Sequence, residues 1–291
     1  MEKFPLLAEV LNPLRISENV VRFDAPHSGT AGVQNRLFGG QTICQAQLAV
    51  ETVFPEFCVL SIRTCFVAPG SIKIPLDYTI NRFSDSCFLY VTVSQQGKTI
   101  ATCHIKIGTL EDVLLSVAYR MPAVKKPLEY ESLEDVAKAS PEDKYITPFL
   151  RRMLKWGLFE IRPKSMDHFL MKSADLEPFV VWSAVTKPQR RVRLPENCGR
   201  SLVTMMTDYW GFQSPLENYE FYDKLKSNFP ASMNHNLTFH TADKLDPLAW
   251  YLFETECEVH SSDRFLMRGR VFGESGRCVV TFEQEGYKAS G

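Results

Sequence analysis

The chain has 291 residues, 45% of them hydrophobic and 23% charged, and a formal net charge of −1. This is a globular composition, and the balanced charge excludes an electrostatic case for a nucleic-acid partner. No apolar run approaches the roughly 18 residues that a membrane-spanning helix needs, and no Cys or His cluster has metal-binding spacing.

In chain order, Met1–Arg15 reads as a short lead-in and Val20–Phe23 as a strand. A loop through His27, Gly29 and Gly32 follows. From Gln41 to Phe54 the spacing of Ile43, Ala46, Leu48, Ala49 and Val53 predicts a helix. The preceding Gly39-Gly40 pair allows a tight entry with accessible backbone N–H groups. Without a following Gly-Lys-Ser/Thr it is not a phosphate loop. Four alternating segments come next: Cys58–Val67, Ile74–Phe83, Cys87–Ser94 and Thr99–Ile107. The polar turns between them predict an antiparallel meander.

Glu111–Trp156 is charged and punctuated by Pro122, Pro127, Pro141 and Pro148. It reads as a surface linker with short helices at Leu133–Ala139 and Thr147–Trp156. The first pattern then returns. Strands at Leu158–Pro163 and Phe179–Thr186 precede a basic loop and a helix at Asn197–Phe212. Strands at Ser232–Thr241, Trp250–Val259, Arg264–Phe272 and Cys278–Tyr287 follow. Strand, helix and four long strands thus occur twice, an internal duplication. The expected units are 1–112, a linker 113–155, and 156–291.

The second helix is apolar on almost every face, with Asn197 placed to cap its start and Gly211 just past its end. It carries one carboxylate, Asp208, among Met205, Tyr209 and Trp210. A shielded carboxylate needs hydrogen bonds or a raised pKa. It is either a cap or ion pair within a structural helix or a group held at a catalytic site. His235 and His240 are expected on opposite faces of one strand, in structural roles, without chelating a metal.

Several stretches carry a resemblance: Arg36-Leu37-Phe38-Gly39-Gly40-Gln41, Phe66-Val67-Ala68-Pro69-Gly70, Thr207-Asp208, Ala231-Ser232-Met233-Asn234-His235, Phe239-His240, Arg268-Gly269-Arg270 and Gln284-Glu285-Gly286. In this order the chain resembles the acyl-CoA thioesterase II family, bacterial enzymes with peroxisomal relatives. The resemblance implies an α+β double hotdog, in which two long helices are each wrapped by an antiparallel sheet and the sheets join into one. It implies hydrolysis of an acyl-CoA without a cofactor, by a triad of Asp208, Ser232 and Gln284 that activates water. It also implies a substrate-facing Gly39, Gly40 and Gln41, and a homodimer or homotetramer. The first half is expected to lack a triad, because its helix brings Gln45 and Gln47 rather than an acid.

The sequence departs from the family at Asn234, where Asp is usual, at Thr238–Ala242, and at Arg63-Thr64-Cys65 before Phe66. These changes leave the acyl group open. Two alternatives to hydrolysis remain: a hotdog hydratase or dehydratase using an Asp/His pair, and a non-hydrolytic acyl-CoA-binding protein. The eight scattered cysteines and the absence of a signal peptide point to a reducing intracellular compartment. Cytosol and peroxisome both stand open, since the ending Lys288-Ala289-Ser290-Gly291 is not of the Ser-Lys-Leu type.

Overall fold

The structure is a computed structural model that describes residues 6–29, 35–109, 118–146, 148–170, 172, 178–195, 198–210, 231–241, 244–261 and 264–287. In the first half a short helix α1 (Leu7–Val10) and strands β1 (Leu14–Arg15) and β2 (Val20–Phe23) lead to the long helix α2 (Gly39–Val53). Strands β3 (Cys58–Phe66), β4 (Leu76–Arg82), β5 (Phe88–Gln95) and β6 (Lys98–Gly108) follow. Helices α3 (Leu133–Ala139) and α4 (Pro148–Trp156) lie in the connection. The second half holds β7 (Phe159–Pro163), α5 (Met166–Phe169), β8 (Phe179–Val185), α6 (Lys187–Arg190) and the helix α7 (Gly199–Trp210). It closes with β9 (Ala231–Phe239), β10 (Tyr251–Ser261), β11 (Arg264–Gly273) and β12 (Cys278–Tyr287).

All twelve strands form one sheet in the order β1-β2-β4-β5-β6-β3-β9-β12-β11-β10-β8-β7. Every pairing is antiparallel. The two sides mirror one another across β3 and β9, whose register is centred on Arg63 opposite Asn236. The expected double hotdog with sheets joined inside one chain is therefore the observed fold.

Both long helices lie against the same sheet face, and they pack on each other. Residues 40–50 of α2 and all of α7 are buried. Alternation makes the wall: Leu89, Val91 and Val93 of β5 point inward while Tyr90 and Thr92 lie between them. Polar groups drawn into this core are satisfied. Gln45 Nε2 donates to the Val10 carbonyl at 2.5 Å and Gln45 Oε1 accepts from the Tyr78 hydroxyl at 3.0 Å. Thr204 Oγ1 donates to Gln47 Oε1 at 2.7 Å, joining α7 to α2.

Three expectations need correction. The lead-in is structured: Leu7, Val10 and Leu11 are fully buried, and the Leu7 amide donates to Gln189 Oε1 of the second half at 2.9 Å. A four-residue helix is too short to show a period. α2 begins at Gly39, two residues before the expected start. The connection is also not confined to the surface. Met121, Val124 and Tyr130 cover Val180, Trp182, Leu252 and Phe272 on the outer face of the second half's sheet. That cover is why every residue of β8 is buried. The proposed cap Asn197, the terminating Gly211 and the first residue of the helix expected at Thr147–Trp156 lie outside the described residues.

Candidate active site

Asp208 sits in the last turn of α7, whose end meets β9 and β12 through hydrogen bonds of Thr207 and Asp208. Ser232 is the second residue of β9, and Gln284 stands on the neighbouring β12, opposite His235 in the register. Folding thus brings together three side chains that are far apart in the sequence. Gln284 Nε2 donates both to Asp208 Oδ1 and, at 2.7 Å, to Ser232 Oγ. The Ser232 hydroxyl reaches Asp208 Oδ1 at 3.4 Å.

The other carboxylate oxygen belongs to the first half. Asp208 Oδ2 accepts from the Gly40 amide at 2.6 Å, at the positive end of α2. Absence of a side chain makes this approach possible. A Cβ on Gly40 would lie 2.7 Å from both the Met205 carbonyl oxygen and the Phe38 ring. One on Gly39 would lie 3.0 Å from Asp208 Oδ2 and from Phe66 Cζ. The Gly40 amide therefore holds the carboxylate. The Gln41 side chain turns elsewhere: its Oε1 accepts from the Ser28 amide at 2.6 Å and its Nε2 meets His27 Nδ1 at 3.0 Å. It fastens the loop before the helix and does not reach Asp208.

Burial lifts the Asp208 pKa to about 6, against the opposing pull of the Gln284, Gly40 and Ser232 donors. Such a carboxylate is ionised at neutral pH yet basic enough to accept a proton. His235 is the residue the sequence did not single out for this site. Its ring is fully buried, its Nδ1 lies 3.7 Å from Asp208 Oδ1, and its Nε2 meets Thr207 Oγ1 at 2.9 Å. Burial lowers its pKa to about 3, so the ring is neutral. His240 pairs with Thr281 Oγ1 at 2.8 Å. Among the described residues no cluster of His, Cys, Asp or Glu could hold a metal.

The duplicated half repeats the geometry without the chemistry. Contrary to the expectation of a first helix without an acid, Glu51 lies in the last turn of α2. Burial raises its pKa, opposed by Gln47, Arg200 and the Val59 amide. The pseudo-twofold through Arg63 and Asn236 carries Ser232 onto Val59, and it carries Gln284 onto Ile105, which faces Ile62. Two aliphatic side chains replace the hydroxyl and the carboxamide. Arg200 stands near Glu51, its guanidinium 3.9 Å from the Phe239 ring centroid and donating to the Val59 and Thr241 carbonyls.

Comparison with known proteins agrees with the fold. The profile of the acyl-CoA thioesterase C-terminal domain family matches residues 161–287. Acyl-coenzyme A thioesterase 8 of Mus musculus is 28% identical, over 97% of this chain and 88% of that protein. Acyl-CoA thioesterase 2 of Haemophilus influenzae is 24% identical, over 86% of this chain and 87% of that protein. An acyl-CoA thioesterase II structure from Mycobacterium marinum superposes with a TM-score of 0.73 at 18% identity, covering 98% of each chain.

Proposed function

We infer that this chain, which belongs to the acyl-CoA thioesterase II family, hydrolyses an acyl-CoA thioester to the free acid and CoA, with Asp208, Ser232 and Gln284 as its catalytic residues. The observation that carries this reading is the convergence of Gln284 Nε2 and Ser232 Oγ on one oxygen of Asp208.

In the reaction Asp208 takes a proton from water as the water oxygen bonds to the thioester carbon. Ser232 and Gln284 hold that water and steady the developing oxyanion. The C–S bond then breaks, its electron pair goes to sulfur, and the thiolate recovers the proton from Asp208. Gly40 fixes the carboxylate, Gly39 leaves room beside it for the thioester, and Gln41 acts at a distance through the His27–Ser28 loop. No cofactor is needed.

Hydration or dehydration would need a histidine that reaches the substrate and exchanges protons near neutral pH. His235 is fully buried with a pKa of about 3, which argues against it. The chain is proposed to divide into 1–112, a linker 113–155 and 156–291. It is expected to assemble as a homodimer or homotetramer, since Phe88 is exposed on the outer face that the connection leaves uncovered. An intracellular place of action, cytosolic or peroxisomal, fits an acyl-CoA substrate and eight scattered cysteines without CxxC spacing.

The test is release of CoA from a panel of acyl-CoAs of varied chain length and polarity. Turnover that Asp208→Asn abolishes supports hydrolysis. Binding without release would favour a carrier, and loss of an enoyl double bond without release would favour a hydratase.

A further inference from the structure

Ser232 faces the opposite side of the sheet from the one its place in β9 predicts. His235 and Leu237 point inward and are buried, so Asn234 points outward. Unbroken alternation would turn Ser232, two residues before Asn234, outward as well. Its hydroxyl turns inward instead, to Asp208 and Gln284. The register accounts for the reversal. Asn234 pairs with Glu285, but Ser232 pairs with Gly286, so Met233 is an extra residue without a counterpart on β12. This is a β-bulge, which re-aims a side chain and interrupts the ladder. Gly286 lies two residues after Gln284 and so on the same inner side, which is where its partner Ser232 is found.

The bulge leaves Ser232 in a short overhang. β9 begins at Ala231, so beyond the bulge the strand holds Ala231 and Ser232 alone among the described residues. On the other side β3 pairs with β9 only as far as Cys65 opposite Asn234. Asn234 is thus the last regular pair of β9 with both neighbours. On the outer face it is bridged to β12 twice. Asn234 Nδ2 donates to Glu285 Oε2 at 2.7 Å, and Asn234 Oδ1 accepts from the Glu285 amide at 3.3 Å. The first bond ends on a carboxylate, which strengthens it. Glu285 Oε1 lies 3.9 Å from Arg264, whose side chain is 73% exposed, and an ion pair so placed adds little. Glu285 directly follows Gln284, so the bridge falls between the two residues that hold Asp208 Oδ1.

We propose that Asn234 is a positioning residue of the site, which with Glu285 clamps β9 to β12 at the bulge and so holds the Ser232 hydroxyl against Asp208 and Gln284. This rests on the hydrolytic reading above. The clamp works from the outer face of the sheet, while the triad lies on the inner face. Without it the overhang is held by two terminal pairs, Ser232 with Gly286 and Ala231 with Tyr287. Strand ends open at low cost in free energy. Ser232 then spends part of its time away from the 2.7 Å bond to Gln284, and the hydroxyl is missing when water attacks.

The test combines kinetics with amide hydrogen exchange of Asn234→Ala. Its kcat should fall roughly tenfold, with little change in KM. In a Ser232→Ala chain the same change should cost little, because the group it positions is gone. Glu285→Gln keeps an oxygen for Asn234 Nδ2 and should retain most of the rate. Glu285→Leu should lose about as much as Asn234→Ala. Exchange of residues 231–234 should quicken in Asn234→Ala, while 235–239 stay protected. An unchanged kcat, an equal loss with and without Ser232, or unchanged exchange at 231–234 overturns the proposal. If Asn234→Ala does not fold, Glu285→Leu takes the same measurements. A chain that releases no CoA defeats the hydrolytic reading, while the exchange still decides whether the clamp holds the overhang.

Discussion

Asp208 and Gly40 are joined by a hydrogen bond of 2.6 Å, although they stand on different helices in different halves of the chain. The site is therefore a product of the duplication. One half supplies the carboxylate, hydroxyl and carboxamide, and the other supplies the helix N-terminus that receives the carboxylate.

This joint makes Gly40→Ala disruptive on two counts. The added methyl would press on the Met205 carbonyl and the Phe38 ring, each 2.7 Å away, and part the helices. Overpacking of this kind costs roughly 1–3 kcal/mol, to be read from denaturant unfolding. Weakening the Gly40 bond also removes one of the donors that lower the Asp208 pKa. The acid limb of kcat/KM should then move to higher pH in the folded fraction.

Asp208→Asn keeps the shape of the side chain and removes the proposed base. General-base catalysis contributes roughly 10²–10⁴-fold, and CoA release should fall by that much. Circular dichroism and thermal unfolding should show an intact fold. Ser232→Ala and Gln284→Ala should lower the rate non-additively with it, because all three are proposed to act on one water. Normal turnover of Asp208→Asn would return Asp208 to a structural role.

The two buried groups beside each other pull stability in opposite directions with pH. The folded pKa of His235, about 3, lies below its ordinary 6.5, so stability is lost as pH falls below 6.5. That of Asp208, about 6, lies above its ordinary 3.8, so its ionisation costs stability as pH rises through that window. Between the two values the slopes oppose one another. Asp208→Asn removes one of them. Relative to wild type it should lose about 1.4 kcal/mol more per pH unit on acidification through this window, measured by denaturant titration at several pH values.

What could be read from the sequence was what repeats locally. Alternation in residues such as Leu89, Val91 and Val93 set out the strands, and the apolar surround of Asp208 marked it as costly unless held. The stretches around Gly39, Ser232 and Gln284 carried the family resemblance. Lost to the sequence was whatever depends on register between distant strands. His235 could be placed beside Asp208 only once β9 and β12 were paired. Continuous burial of β8 reflects the connection folded over Trp182, which no period in β8 itself reports. Glu51 stood in plain view in the first helix, but its place beside Arg200 and the Val59 amide needs the packed helices and sheet.

The axis through Arg63 and Asn236 supports a last prediction, on why one site per chain suffices. At the position related to the triad, Val59 and Ile105 offer no donor side chain, and Arg200 only partly offsets the burial that raises the Glu51 pKa. Arg200 also ties α7 to the sheet, through the Val59 carbonyl at 2.7 Å and the Thr241 carbonyl at 2.8 Å. Arg200→Ala should destabilise the fold by roughly 1–3 kcal/mol, the cost of leaving the buried carbonyls without these donors. Glu51→Gln in the same chain should recover part of that loss, because the stranded charge is then gone. Neither change touches Ser232, Gln284 or the Gly40 amide, so kcat per folded chain should stay near wild type. Unfolding midpoints and kcat at low temperature, where the variants are folded, give the two readings. If Arg200→Ala instead lowered kcat with the fold intact, the Arg200 region would be part of the substrate's path rather than a closed counterpart of the site.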